Sequence, residues 1–193
     1  MIRAVAVALV VSMAIIMFPG SSFALNFGLR GGAHIPTGDY GDIANTAFAF
    51  GLHFKLPVSP NSAAGLHLGY SKADGKGTLG RPAVEIDDVV MTELYLFWDY
   101  YAFRQTPASM FLRGGLGVNR WEIEGRVRGA MPDELPIYRR SKEDDIDLMI
   151  AVGPGVILYD HFEIMLLYNR ILTGDFDEGY VTATIGYNFL FGY

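Results

Sequence analysis

Charged residues of both signs recur in segments whose other polar positions are mostly Gly, Thr or Asn: Arg30, Lys55, Glu93, Asp99, Arg113 and Glu163. Such a set does one of two things. Buried together, the charges form a plug, which is tolerable only if they pair. Held apart, they line a narrow path for solutes. Nucleophilic chemistry makes a different demand, a base within reach of a hydroxyl or thiol. The chain has no cysteine, and its histidines read His34-Ile35-Pro36, His53-Phe54-Lys55, His67-Leu68-Gly69 and His161-Phe162-Glu163. None forms a His-x-Ser pair, so the fold would have to bring a base and a serine together, His67 with Ser71 being one case. A lone histidine on a polar strand face is more often a space-filler than a base. Asp144, Asp145 and Asp147 make an acidic run of the kind that is usually solvated. Asp175-x-Asp177-Glu178-Gly179 hints at a calcium loop but lacks the third acidic position, the glycine order and the later Glu of the twelve-residue motif. Gly114-Gly115-Leu116-Gly117 and Gly153-Pro154-Gly155 lack the strand-to-helix setting of a phosphate loop. The sequence therefore assigns no catalytic, cofactor-binding or metal-binding residue, and no cofactor.

The elements that hold these residues are strands, because the apolar period is two. Near the C-terminus Val181, Ala183, Ile185, Tyr187, Phe189, Phe191 and Tyr193 share one face; Thr182, Thr184, Gly186, Asn188, Leu190 and Gly192 share the other. Earlier segments repeat the pattern. Phe27, Leu29 and Ala33 oppose Gly28, Arg30, Gly32 and His34; Phe48 to Leu56 alternate with Ala49, Gly51, His53 and Lys55; Leu66, Leu68 and Tyr70 oppose His67, Gly69 and Ser71. Leu94, Leu96, Trp98 and Tyr100 oppose Glu93 and Asp99; Leu112, Leu116 and Val118 oppose Arg113 and Asn119; Ile146, Leu148, Ile150 and Val152 oppose Asp145, Asp147, Ala151 and Gly153. The weakest segment is residues 163–171, where Ile164, Leu166 and Tyr168 oppose Glu163, Met165, Leu167 and Asn169. That makes eight strands. Their connections alternate, long at 35–45, 72–83, 125–143 and 172–179, short at 57–64, 104–109 and 159–162, and Pro, Gly, Asn and Asp mark most of them. No helix-period segment stands out.

The chain opens with a positive charge at Arg3, an apolar run from Ala4 to Phe18, and Ser22-Phe23-Ala24. That order reads as an export signal, residues 1–24, cleaved after Ala24. The run is shorter than the roughly 20 residues of a spanning helix. Residues 25–193 then form one domain. Losing Arg3 takes the net charge from −6 to −7, which argues against a nucleic-acid partner. Without cysteine, no disulfide holds an exported chain together.

A soluble barrel also alternates, with its apolar face turned inward. Here the other face mixes small residues with both charge signs rather than showing a dense row of Lys and Glu. A narrow eight-stranded lumen needs such a filling, and aromatics at strand ends suit the two lipid–water girdles. The fold read from these features is all-β, an antiparallel up-and-down transmembrane β-barrel of about eight strands. Its sheet must close to satisfy the backbone in lipid. Short turns would face the periplasm and the four long loops the exterior.

Three stretches carry a resemblance: Gly28-Leu29-Arg30-Gly31-Gly32 with Pro36-Thr37-Gly38-Asp39-Tyr40, Val152-Gly153-Pro154-Gly155-Val156 with Asp160-His161-Phe162, and Gly186-Tyr187-Asn188-Phe189-Leu190-Phe191-Gly192-Tyr193. The chain resembles the small outer-membrane β-barrel domain proteins grouped with the OmpA-like and OmpX-like eight-stranded barrels, over essentially all of residues 25–193. The resemblance implies an outer-membrane location, lipids and lipopolysaccharide as surroundings, and recognition of the terminal strand, ending at Tyr193, by the barrel-assembly machinery. Some barrels of this type deacylate lipopolysaccharide with a His-x-Ser pair, which this chain lacks. The expected function is a non-catalytic structural or surface-interaction role through the outer loops, above all 125–143, with a possible extracellular ligand. The alternatives are a narrow channel, a lipid A-modifying enzyme, and a soluble periplasmic binder.

Overall fold

The computed structural model describes residues 25–76, 78–79, 84–105, 107–128, 138–173 and 178–191. Residues 1–24, expected to be an export signal, and Asp175, Asp177 and Tyr193 lie outside the described residues. The elements are β1 (Leu25–Gly38), the one-turn helix α1 (Asp39–Ile43), β2 (Ala47–Ser59), β3 (Ser62–Asp74), β4 (Thr78–Leu79), β5 (Val84–Gln105), β6 (Ala108–Arg128), β7 (Tyr138–Leu158), β8 (Phe162–Ile171) and β9 (Glu178–Phe191). Eight long strands pair antiparallel in a ring, which β1–β9 and β3–β5 close. β4 stands outside the ring and pairs only with the first residues of β5. Over the height that all eight strands share, the closed ring leaves no strand edge to satisfy, the condition for placing a sheet in lipid.

The faces fall as the period predicts. Phe50 and Leu116 are each 60% exposed and Ile185 64%, all pointing out, whereas Arg30, Lys55, Asp99, Arg113 and Glu163 are buried inside. The weak segment at β8 keeps its expected parity, with Glu163, Met165, Leu167 and Asn169 inward. Hence the apolar face meets lipid and the mixed face fills the lumen. The β7–β8 turn has Tyr159 and Asp160 at φ 52° and 61°, with the His161 N–H donating to Leu158 O. Two successive positive φ values give the turn whose twist matches a hairpin.

Two expectations need correction at the other end. The long connection at 125–143 is shorter than expected, because β6 continues to Arg128 and β7 begins at Tyr138. β5 starts at Val84, where the expected connection at 72–83 ends, and so rises well above Glu93. Just beyond the lipid the polarity of the faces reverses, with Arg120 and Glu122 outward and Trp121 and Ile123 buried inward, so the apolar-out pattern that reveals the lower strand is lost while backbone pairing continues. The connection at 35–45 holds α1, one turn too short to show a helical period; it starts after Gly38, whose φ of 62° favours glycine. The result is an uneven wall. β5, β6 and β7 have 22, 21 and 21 residues, against 10 in β8.

Candidate functional site

The lumen contains the chemistry, in three layers. Nearest the short turns, Arg113 grips Asp99 with a fork, Nε to Oδ1 at 2.6 Å and Nη2 to Oδ2 at 2.7 Å. Lys55 Nζ bridges Asp99 Oδ2 at 2.9 Å and Glu163 Oε2 at 3.0 Å. Arg30 Nη2 lies 2.6 Å from Glu163 Oε1, and Arg113 Nη2 lies 3.6 Å from the same oxygen. Asn188 donates to Glu163 at 3.4 Å, and its Oδ1 is 2.8 Å from His53 Nε2. The Arg113 guanidinium sits 3.8 Å from the centroid of the Phe97 ring, so an aromatic face covers what carboxylates do not. Planar, bidentate pairing suits arginine in a dry setting. Inward glycines make room for these side chains. A Cβ at Gly28 would lie 1.9 Å from His53 Cε1, and one at Gly51 would lie 2.4 Å from His67 Cε1.

Five of the six charges singled out in the sequence thus meet. Glu93 does not; it stands six residues further up β5. Around it is the middle layer, a cavity of about 20 Å³ lined by Arg30, His67, Glu93, Tyr95, Thr182 and Thr184 among others. That volume suits about one water.

The third layer closes the far end. His34 stacks on Tyr180 at 4.0 Å, and Tyr40 of α1 packs edge-on against His34, Tyr180 and Trp121. Trp121 Nε1 donates to Asp147 Oδ2 at 2.8 Å, and Thr173 Oγ1 donates to Asp147 Oδ1 at 3.0 Å. Asp147 is therefore a buried acceptor, not the solvated charge expected, whereas Asp145 is exposed. Ile43, Ile86, Val89, Met91 and Ile123 complete an apolar lid. The segment carrying α1 is pinned across the mouth by Asn45 N–H to Asp74 O and Lys76 N–H to Ile43 O.

One contact in this layer looks catalytic. Ser71 Oγ is 3.2 Å from His34 Nδ1, and Glu93 Oε1 is 3.8 Å from the same nitrogen. A working base takes the serine on one ring nitrogen and its orienting acid on the other. Here both approach Nδ1, and all three groups are buried, so the arrangement is lumen packing. The expected neighbour of Ser71, His67, instead lies against Tyr95 with ring centroids 4.6 Å apart. Among the described residues no group of His, Asp and Glu is placed to hold a metal.

A sheet closed in eight strands, apolar outside and ion-paired inside, defines a membrane β-barrel. Residues 4–189 match the family described as "Outer membrane protein beta-barrel domain". The chain belongs to that family, and its place is the outer membrane. Solved structures of similar fold include Ail, the attachment invasion locus protein of Yersinia pestis, at 13% identity and a TM-score of 0.54, covering 89% of this chain and 100% of that one. Neisserial surface protein A matches at 13% and 0.51, covering 90% and 100%. The N-terminal barrel domain of Pseudomonas aeruginosa OprF matches at 12% and 0.50, covering 86% and 97%. No curated protein sequence matches the chain.

Proposed function

We propose that the protein is a closed, non-catalytic barrel that acts as a contact surface on the cell exterior. The observation that carries this is the pairing of a sealed lumen with an overgrown wall. Ionic and aromatic layers block the bore at two levels, which argues against a solute path. Meanwhile β7 pairs with β6 up to Tyr138, but pairs with β8 only from Met149 downward. The segment 138–148 has strand on one side alone among the described residues. With the short turns in the periplasm, this tall sheet stands outside the cell. Leu148 is bonded on that side by Leu172 and Thr173, and Ile146 N–H by Asp145, so the edge that can offer backbone groups to an extended segment of another molecule lies above Ile146.

The sequence of the tall part includes Arg126, Arg128, Arg139, Arg140 and Lys142. Ail has also been solved with the heparin analogue sucrose octasulfate, at a TM-score of 0.50 to this chain. A sulfated polysaccharide is accordingly the first ligand class to test. The experiment replaces residues 122–144 by an Asn-Gly turn, which joins the paired Trp121 and Asp145, and compares both barrels. The expected result is unchanged barrel assembly, no conductance from either in planar bilayers, and heparin binding by the intact chain only. Discrete conductance steps from the intact barrel would overturn the closed lumen. Equal binding by the shortened barrel would overturn the role of the tall sheet.

A further inference from the structure

The edge of β7 that stands above β8 has a direction and a charge order. Leu148 turns its backbone away from β6, its N–H donating to Thr173 Oγ1 and its O accepting from Leu172 N–H. The β6–β7 register runs from Leu158 to Tyr138 without a shift. Alternation therefore turns the N–H and C=O of Asp144, Lys142 and Arg140 the same way, toward the open side. Ile146 has its N–H on Asp145 Oδ1, so the stretch available for pairing is residues 139–145. It reads Arg139-Arg140-Ser141-Lys142-Glu143-Asp144-Asp145, basic first and acidic last. A strand with that order is complementary to its own reverse.

We infer that residues 139–145 pair antiparallel with the same stretch of a second copy of this chain, centred on Lys142. This rests on the tall sheet being an external contact surface, and it names the partner of that surface. In a two-fold antiparallel pair, opposed residues lie on the same face of the strand, so the centre falls on a residue and not between two. Centring on Lys142 sets Arg139 opposite Asp145 and Arg140 opposite Asp144, twice each by symmetry, against one Lys–Lys contact. Centring on Ser141 would set Arg140 opposite Lys142 twice, and centring on Glu143 would set Arg140 opposite Ile146. Opposite charges facing across a pair stabilise it, and like charges oppose it. Arg140, Lys142 and Asp144 of each copy then exchange N–H···O bonds with the other. Copies in one membrane stand the same way up, so their β7 strands run parallel and cannot meet in this register. The antiparallel pair joins barrels in two facing membranes, and with the tall end outward it is a contact between cells. The approach is open, since on that side β8 pairs with β7 only from Met149 downward.

Sedimentation of the purified barrel in micelles, where orientation is free, tests the pairing. The expected result is a reversible dimer, with the Arg140, Lys142 and Asp144 amides open in dilute samples and protected as the protein concentration rises. R140E and D144K each set like charges across the pair and should weaken it about tenfold. An equal mixture of the two restores opposite charges at both positions and should dimerise as the parent does. The chain has no cysteine, so K142C should give a disulfide-linked dimer and S141C should not; the Cα separation of a bonded antiparallel pair, about 5.5 Å, is within disulfide reach. On whole cells the parent should agglutinate, each charge variant alone should not, and the two variant populations mixed should. A monomeric parent, or a mixture no better than either variant, would overturn the self-pairing. Cross-linking by S141C in place of K142C would overturn the register. The boiling-dependent gel shift checks folding, and if R140E or D144K lacks it the cysteine variants decide. Heparin binding by a parent that stays monomeric would remove the pairing and leave the contact surface. The external reading fails separately, if protease added to whole cells does not cut between β6 and β7 while the dimer in micelles stands.

Discussion

Glu163 faces three cations, and its replacement shows how the lower plug is balanced. Glu163→Gln leaves Arg30, Lys55 and Arg113 around Asp99 alone, so a loss of roughly 3–5 kcal/mol is expected in urea-driven unfolding from micelles. Removing both members of the fork, Arg113→Met with Asp99→Leu, should cost less than Asp99→Leu alone, since no arginine is left buried without its carboxylate. Gly153 tests the wall itself. A Cβ there would sit 1.9 Å from the Leu166 carbonyl oxygen, so the backbone must move. Gly153→Val should abolish the boiling-dependent gel shift. At this scale the charged set was visible in the sequence, but its partners were not, because strand stagger decides which residues share a level. The exclusion of Glu93 was readable: six residues up one strand from Asp99 is about 20 Å. The contact between Ser71 and His34 had no such signal, since its two halves lie on separate strands 37 residues apart.

Strands were readable wherever one face met lipid and the other the lumen, which covers most of β1, β2, β3, β8 and β9. The upper halves of β5, β6 and β7 were not, because out of the membrane Arg120 and Glu122 follow Val118 on the outer face while Trp121 and Ile123 turn inward, so the apolar face changes sides. Their pairing makes a prediction for amide exchange. In segment 138–145 alternate N–H groups point toward β6 and away from it, so protection should alternate residue by residue, whereas Ile146 and Leu148, which donate to Asp145 Oδ1 and Thr173 Oγ1, and the β6 residues facing β7 and β5 should be protected. The β7–β8 turn offers a stability test. Tyr159 holds a positive φ without being glycine. Tyr159→Asn, which tolerates that region better, should stabilise the barrel by about 1 kcal/mol, read as a shift of the unfolding midpoint.

For the whole molecule, the question of which solvent the apolar face sees was answerable from residue types alone: Gly, Thr and paired charges fill a lumen, whereas a wet surface would carry rows of Lys and Glu. The two closures were less visible, because the upper one depends on Tyr40 folding in from α1. Since the layers are independent, Tyr40→Ala should leave the barrel silent in planar bilayers; a conducting Tyr40→Ala would mean that the ion pairs do not seal the bore. Export adds a check on the intact chain. We propose cleavage after Ala24, so the mature protein should begin at Leu25, as measured by mass spectrometry of the outer-membrane form.

The unequal strands give the barrel a bearing. A cylinder of even height looks the same from every direction along the cell surface, but here one flank rises by about 30 Å of extra strand while the flank of β8, β9 and β1 stays low. A neighbour approaching in the membrane plane meets a parapet on one side and a threshold on the other. If the tall end faces outward as proposed, a ligand drawn to that sheet would be held to one side of the barrel axis, with the low flank left clear of it.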